Sequence, residues 1–283
     1  MKIIEKIKSL ALKKYNRIAI GISPDEIYID RIKQVIKYFN QLEQFKIILV
    51  SKLKINISDL SMGKNIELII SNNPSFKMIQ LLLENQVDGI VRGTLSSSNF
   101  LKEVKKNFML NKISRIALLE DTKGRDFFFA PVGIDEGRTF EEKAFFIEQG
   151  YEILKKFGFN PSIAILSGGR LGDIGRDKYI DETIKIAEKL VEKMKNKGLQ
   201  YIFHSEILIE KAIEKSNYLI APDGISGNLV YRTLVHLGNG LSHGAIYIEP
   251  LFQSKIIIDT SRVGPVNEYI SAIMLAAASQ ILI

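Results

Sequence analysis

The feature that most constrains this chain is an alternation, running along its whole length, of short apolar runs with amphipathic stretches of helical period. Strand-like runs each followed by a helix predict an α/β protein with mostly parallel sheets and helices on their faces. Residues 17–22 read as the first buried strand. Ser23, Pro24 and Glu26 then have the spacing of a helix cap, with the proline at the first helical position. The helix they open carries Ile32, Val35, Ile36, Phe39 and Leu42 on one face. Further strands are expected at 45–50, 66–70, 87–91, 113–119 and 127–132, with a helix opening at Asn73 and Pro74. Residues 1–14 mix Lys with Ile and Leu and include Glu5, which reads as an amphipathic helix rather than a signal peptide.

A second half begins near Ile134. Thr139 and Glu142 form a capping box, the helix stripe runs Phe140, Ala144, Ile147, Tyr151 and Leu154, and Gly158 ends it. A strand at 162–166, a helix at 177–197 closed by Gly198, a helix near 207–215 and a strand at 218–221 follow. Next come a helix ending at Leu237, two strands at 245–248 and 255–258, and a last helix at 266–282. There is no repeat of fixed period and no low-complexity linker.

Composition narrows the function. There is no cysteine, which excludes disulfides, thiolate metal sites and cysteine nucleophiles. The three histidines, His204, His236 and His243, have no metal-ligand spacing, so no metal is expected. The net charge of +7 comes from lysines spread over nearly every helix and mixed with glutamate, the pattern of solvated faces. No stretch interleaves arginine with aromatics, so a small anionic ligand is expected rather than nucleic acid. No apolar run reaches the roughly 18 residues of a membrane span; a cytoplasmic protein is expected.

In open α/β sheets, ligands sit beyond the carboxyl ends of the strands. Four turns fall there: 93–98, 167–173, 223–228 and 259–268. They are short of bulky side chains, which lets backbone N–H groups approach an anion. Gly93, Thr94, Ser167, Gly168, Gly169, Asp223, Gly227 and Asn228 are the candidate ligand-binding residues. Arg170, between glycines, and Arg262, after Ser261, add guanidinium groups that match phosphate or carboxylate in two-point fashion, with Arg176 nearby. The dinucleotide glycine fingerprint, a Walker A sequence and a GxSxG elbow are absent.

These segments resemble, in order, those of the phosphate acetyl/butyryltransferases. Residues 87–94, VDGIVRGT, are similar to that family's ADAxVxGA strand and turn, and 221–228, APDGISGN, with Tyr231, to its PDLxxGNxxYK. Residues 259–262, DTSR, resemble its DLSRG. The resemblance implies two α/β domains of isocitrate/isopropylmalate dehydrogenase-like architecture, the second inserted in the first, with a cleft between them and a homodimer. Their limits are then 1–133 with 250–283, and 134–249. It also implies catalytic roles for Ser261 and Arg262 at an acyl phosphate and for the residue seven after the serine as base toward coenzyme A. That residue is Glu268 where the family has Asp, Val263 replaces its Gly, and its Ser/Thr-rich phosphate loop is Gly168-Gly169-Arg170-Leu171-Gly172.

Within that superfamily the chain more closely resembles the Mtx subunit X family of methanogenic archaea, also called methanogenesis marker protein 4. The hallmarks are VRGTLSSS at 91–98, ILSGGRLGDIGR at 165–176 and APDGISGNLVYRTLVHLG at 221–238. That resemblance implies a methyltransferase subunit acting with other methyltransferase subunits. The residues themselves carry no S-adenosylmethionine loop and no corrinoid-binding histidine motif, which leaves three readings. One is a transferase subunit holding an anionic, coenzyme A-like or phosphate-bearing ligand in the interdomain cleft. The others are a phosphate acyltransferase and a non-catalytic binding subunit.

Overall fold

The computed structural model describes residues 2–53, 63–252 and 255–283. The chain divides into two compact units, Met1–Ile113 with Ser242–Ile283, and Ser114–Leu241.

The first unit opens with α1 (Ile3–Ala11), β1 (Asn16–Ile22), α2 (Glu26–Phe39), β2 (Phe45–Ser51) and β3 (Ile66–Ile70). It continues through α3 (Pro74–Leu83), β4 (Gly89–Val91) and α4 (Ser97–Asn107). The second unit holds β5 (Arg115–Glu120), β6 (Asp126–Ala130), α5 (Phe140–Lys156), β7 (Ile163–Ile165) and α6 (Lys178–Asn196). Then come β8 (Ile202–His204), α7 (Ile209–Lys215), β9 (Tyr218–Ile220) and α8 (Gly224–Arg232). The chain returns to the first unit through β10 (Leu241–Tyr247), β11 (Ile256–Asp259) and α9 (Val266–Ala278).

In the first unit the strands lie in the order β3-β2-β1-β4-β11-β10, parallel except where β10 runs against β11. β1 and β2 are buried at six of their seven positions, as continuous apolar runs must be when helices cover both faces. One cover is α9, buried along its length from Glu268 to Ala278. Its small residues let it lie against β1 and β4, with Ala276 Cβ close to Gly89, and α1 and α2 pack beside it. Elsewhere in this unit Met78, Ile79 and Leu82 of α3 join Phe100 and Val104 of α4 in one core cluster, completed by Phe108 edge-on to Phe252 at 4.8 Å.

Local signals place most helix starts. Asn73 Oδ1 accepts the Phe76 N–H at 3.1 Å, and Thr139 and Glu142 exchange the two bonds of a capping box. The start of α2 differs from the sequence expectation. Ser23 is not its cap: the Ser23 N–H, just past the end of β1, donates to Thr94 Oγ1 at 2.8 Å. The helix therefore begins at Glu26, with Asp25 in the cap position, and Leu42 falls beyond its last turn.

In the second unit β5 and β6 form an antiparallel hairpin, and β6, β9, β7 and β8 are neighbours in that order, all parallel. Asp121 Oδ1 accepts the N–H groups of Lys123 and Arg125 at 2.9 Å to close the hairpin turn. The helix expected to reach Leu237 leaves α-geometry after Arg232 and finishes as a single π-turn over Thr233–Leu237.

Candidate functional site

Two of the four strand-end turns belong to the first unit and two to the second. In the first unit, β4 runs into Arg92, Gly93 and Thr94 beside the end of β11. Gly93 has φ +63°, and a Cβ there would lie 2.1 Å from the Gly21 carbonyl oxygen, so the position requires glycine. Arg92 is buried. Its Nε donates to Asp259, its Nη2 to the Thr260 carbonyl, and its Nη1 to the Leu95 carbonyl at 2.7 Å. The Thr260 hydroxyl donates to the Gly93 carbonyl at 3.0 Å. Gly93 and Thr94 are thereby brought to the turn that carries Ser261 and Arg262.

Glu268, in the first turn of α9, is 1% exposed. Its Oε1 accepts the Ser261 N–H at 2.6 Å and the Ser242 hydroxyl at 3.3 Å, while Oε2 has no hydrogen-bond partner among the described residues. Burial pushes the Glu268 carboxyl up to about 7, against the opposing pull of the Ser261 N–H and the Arg92 charge. Next to it, the Tyr269 hydroxyl donates to the carbonyls of Ser261, at 3.1 Å, and Arg262, at 2.9 Å. Burial and the neighbouring Glu268 carry that phenol up to about 12. The turn is thus set from beneath by Arg92, Glu268 and Tyr269. Arg262 itself is exposed, paired with Asp25 at 3.1 Å and lying over the Tyr28 ring at 5.5 Å. The Ser23 hydroxyl donates to the same Asp25 oxygen at 2.7 Å.

In the second unit the turns after β7 and β9 are neighbours. Ser167 is buried; its hydroxyl donates to the Gly169 carbonyl at 2.8 Å and lies 2.8 Å from His204 Nε2. Much of the turn's donor capacity meets protein oxygens. The Gly168 N–H donates to Thr183 Oγ1, the Arg170 N–H to Asp173, and the Leu171 N–H to Glu206. The Arg170 N–H, with Arg176 adding to it, holds the Asp173 carboxyl below the usual carboxylate range. Arg170 and Arg176 are both exposed.

The turn after β9 is tightly knit. Asp223 caps α8 by accepting the Ser226 N–H at 2.8 Å, and it accepts the Tyr179 hydroxyl at 3.1 Å. Burial raises its pKa, but these donors outweigh that and hold the carboxyl low. A Cβ on Gly227 would fall 1.9 Å from the Pro131 carbonyl oxygen, and the Asn228 amide donates to the Val132 carbonyl at 2.8 Å. These residues join the start of α8 to the segment after β6.

Beside this turn, and lined by second-unit residues, is a cavity of about 310 Å³. Lys143, Arg138 and Tyr179 reach it, and the sequence reading singled out none of them as functional. Arg92 has no mark in the sequence either, since its carboxylate partner, Asp259, lies 167 positions away. Among the described residues no group of three His, Asp or Glu is placed to hold a metal ion, and no helix is long and apolar enough to cross a membrane.

The fold is that of the phosphotransacylases. A branched-chain phosphotransacylase from Enterococcus faecalis superposes with a TM-score of 0.68 at 15% identity, over 93% of this chain and 99% of that one. The EutD phosphotransacetylase from Staphylococcus aureus gives 0.67 at 16% identity, over 98% of both chains. A 4-hydroxythreonine-4-phosphate dehydrogenase from Klebsiella pneumoniae shares the fold at 0.57 and 14% identity, over 95% of this chain and all of that one. No established family profile matches the chain. Its sequence relatives are more specific. A Methanosarcina mazei protein named "Putative methyltransferase mtx subunit X" is 38% identical over 278 residues, 98% of this chain and 94% of that protein. Its namesake from Methanosarcina barkeri is 41% identical over 216 residues, 76% of this chain and 78% of that protein. The chain belongs to the mtx subunit X family.

Proposed function

We propose that this chain is a methyltransferase subunit whose first unit holds a phosphate-bearing, coenzyme-like anion at the Ser261–Arg262 turn. The observation that carries this reading is the contrast between a preset turn and an available guanidinium. Arg92, Glu268 and Tyr269 fix the backbone of Ser261 and Arg262 from inside. The Arg262 side chain is held by an exposed ion pair with Asp25, of a kind worth at most about 1 kcal/mol, which an anionic ligand can displace. In this reading Gly93 and Thr94 shape the floor of the site and Ser261 supplies a hydroxyl. The methyl carrier is held by other subunits, as the relatives' naming as a subunit supports, and the chain itself pairs as a homodimer.

The test is calorimetric titration of the full chain with coenzyme A and with inorganic phosphate. Binding should be saturable, lost in Arg262→Ala and retained in Glu268→Gln. Equal binding by wild type and Arg262→Ala would refute it.

Glu268 favours a second reading, a phosphate acyltransferase. A carboxyl titrating near 7, seven residues after Ser261, is tuned to accept a proton from a thiol at neutral pH. Phosphate-dependent release of coenzyme A from acyl-coenzyme A, absent in Glu268→Gln, is its expected signature. Inactivity across a range of acyl groups would remove it.

A further inference from the structure

The cavity of the second unit has an unusual donor at its wall. Lys143, on α5, is 6% exposed, yet the hydrogen bond its ammonium makes is a long one, to the Arg138 carbonyl at 3.3 Å. An ammonium has three donors, and an unpaired one out of water is costly. Asp223, Glu142 and Glu182 act on Lys143 through space only. Asp223, the first of these, already accepts the Ser226 N–H and the Tyr179 hydroxyl. Burial accordingly pulls the lysine's pKa down.

The rest of the wall defines what would complete it. Ile165 and Leu166 at the end of β7 and Ile186 and Leu190 of α6 line the cavity with hydrocarbon. Its charged groups are Arg138 and Lys143 against Glu182 and Asp223, two of each sign. These cancel, so a doubly charged phosphate would leave two negative charges uncompensated beside the two carboxylates, whereas a single carboxylate on the ammonium leaves one. The volume, about 310 Å³, is at the small end of ligand pockets.

We infer that this cavity is a binding site for a short-chain aliphatic monocarboxylate, its head on the Lys143 ammonium and its chain along Ile165, Ile186 and Leu190. The site stands on second-unit residues alone and does not depend on the anion reading of the Ser261–Arg262 turn.

The probe is hexanoate, titrated into the full chain by calorimetry, with hexanamide as the uncharged control. Hexanoate should saturate one site per chain and hexanamide should bind at least about tenfold more weakly, the loss of one charge-assisted hydrogen bond. Lys143→Met, which keeps the volume and removes a buried charge, should weaken hexanoate by a similar factor. Ile186→Phe fills the cavity and should abolish binding with Lys143 intact, so the test survives if the lysine variant does not fold. Arg262→Ala should leave hexanoate affinity unchanged, and inorganic phosphate should not displace hexanoate. Absence of saturable binding to the wild type, equal affinity in Lys143→Met, or displacement by phosphate would each overturn the assignment.

Discussion

Replacing Glu268 by Gln tests the reasoning behind the first-unit site without any ligand. The carboxyl titrates at 4.5 when exposed and at about 7 in the fold. The folded chain therefore keeps this proton over a range in which the unfolded chain has released it, and stability falls as pH rises through that range. The contribution is complete below pH 4.5 and gone above about pH 7. At about 1.4 kcal/mol per pH unit, the interval corresponds to about 3 kcal/mol. Gln keeps an oxygen for the Ser261 N–H and the Ser242 hydroxyl but never ionises. The two proteins should thus be closely matched near pH 4.5, and the variant should become the more stable by up to about 3 kcal/mol by pH 8. Urea denaturation of both proteins at half-unit pH steps gives the difference directly, and the other titrating groups, His204 and Glu136 among them, cancel in it. A difference that stays flat from pH 4.5 to 8, or a variant less stable than wild type at pH 8, would refute the buried-carboxyl account.

Two further outcomes are expected. Gly227→Ala forces a methyl group against the Pro131 carbonyl oxygen and should cost about 1–3 kcal/mol, read as a lower urea midpoint with an unchanged slope. Asp25→Asn removes the carboxylate that holds Arg262, so coenzyme A and phosphate affinity should rise in calorimetric titration, while thermal stability changes little.

How much of this was legible in the sequence depends on where each residue's partners lie. Asn73 and Thr139 cap their helices through residues three positions on, and their signals could be read directly. Ser23 carries an equally good local signal, but a bond to Thr94, 71 residues away, overrides it. Arg262 is marked by its place after Ser261 in a strand-end turn, whereas Glu268 and the catalytic roles of all three rest on the family resemblance. The burial that raises the Glu268 pKa, against the hydrogen bonds from the Ser261 amide and the Ser242 hydroxyl, has no trace in the spacing. Lys143 was hidden for a different reason. It follows Glu141 and Glu142 at the start of a charged helix, where a lysine ordinarily belongs to the solvated face, and only the tertiary packing of α5 turns it inward.

The first unit is built from chain segments separated by the whole of the second. Until β11 is made, β4 lacks the neighbour on its far side, and until α9 is made, β1 and β4 lack the helix that covers them. During synthesis the contiguous 114–241 segment is complete while the segment before it still waits for 242–283. The face of β1 and β4 that α9 covers therefore stays open until residues 242–283 leave the ribosome, and in that interval the first unit is open to misassembly.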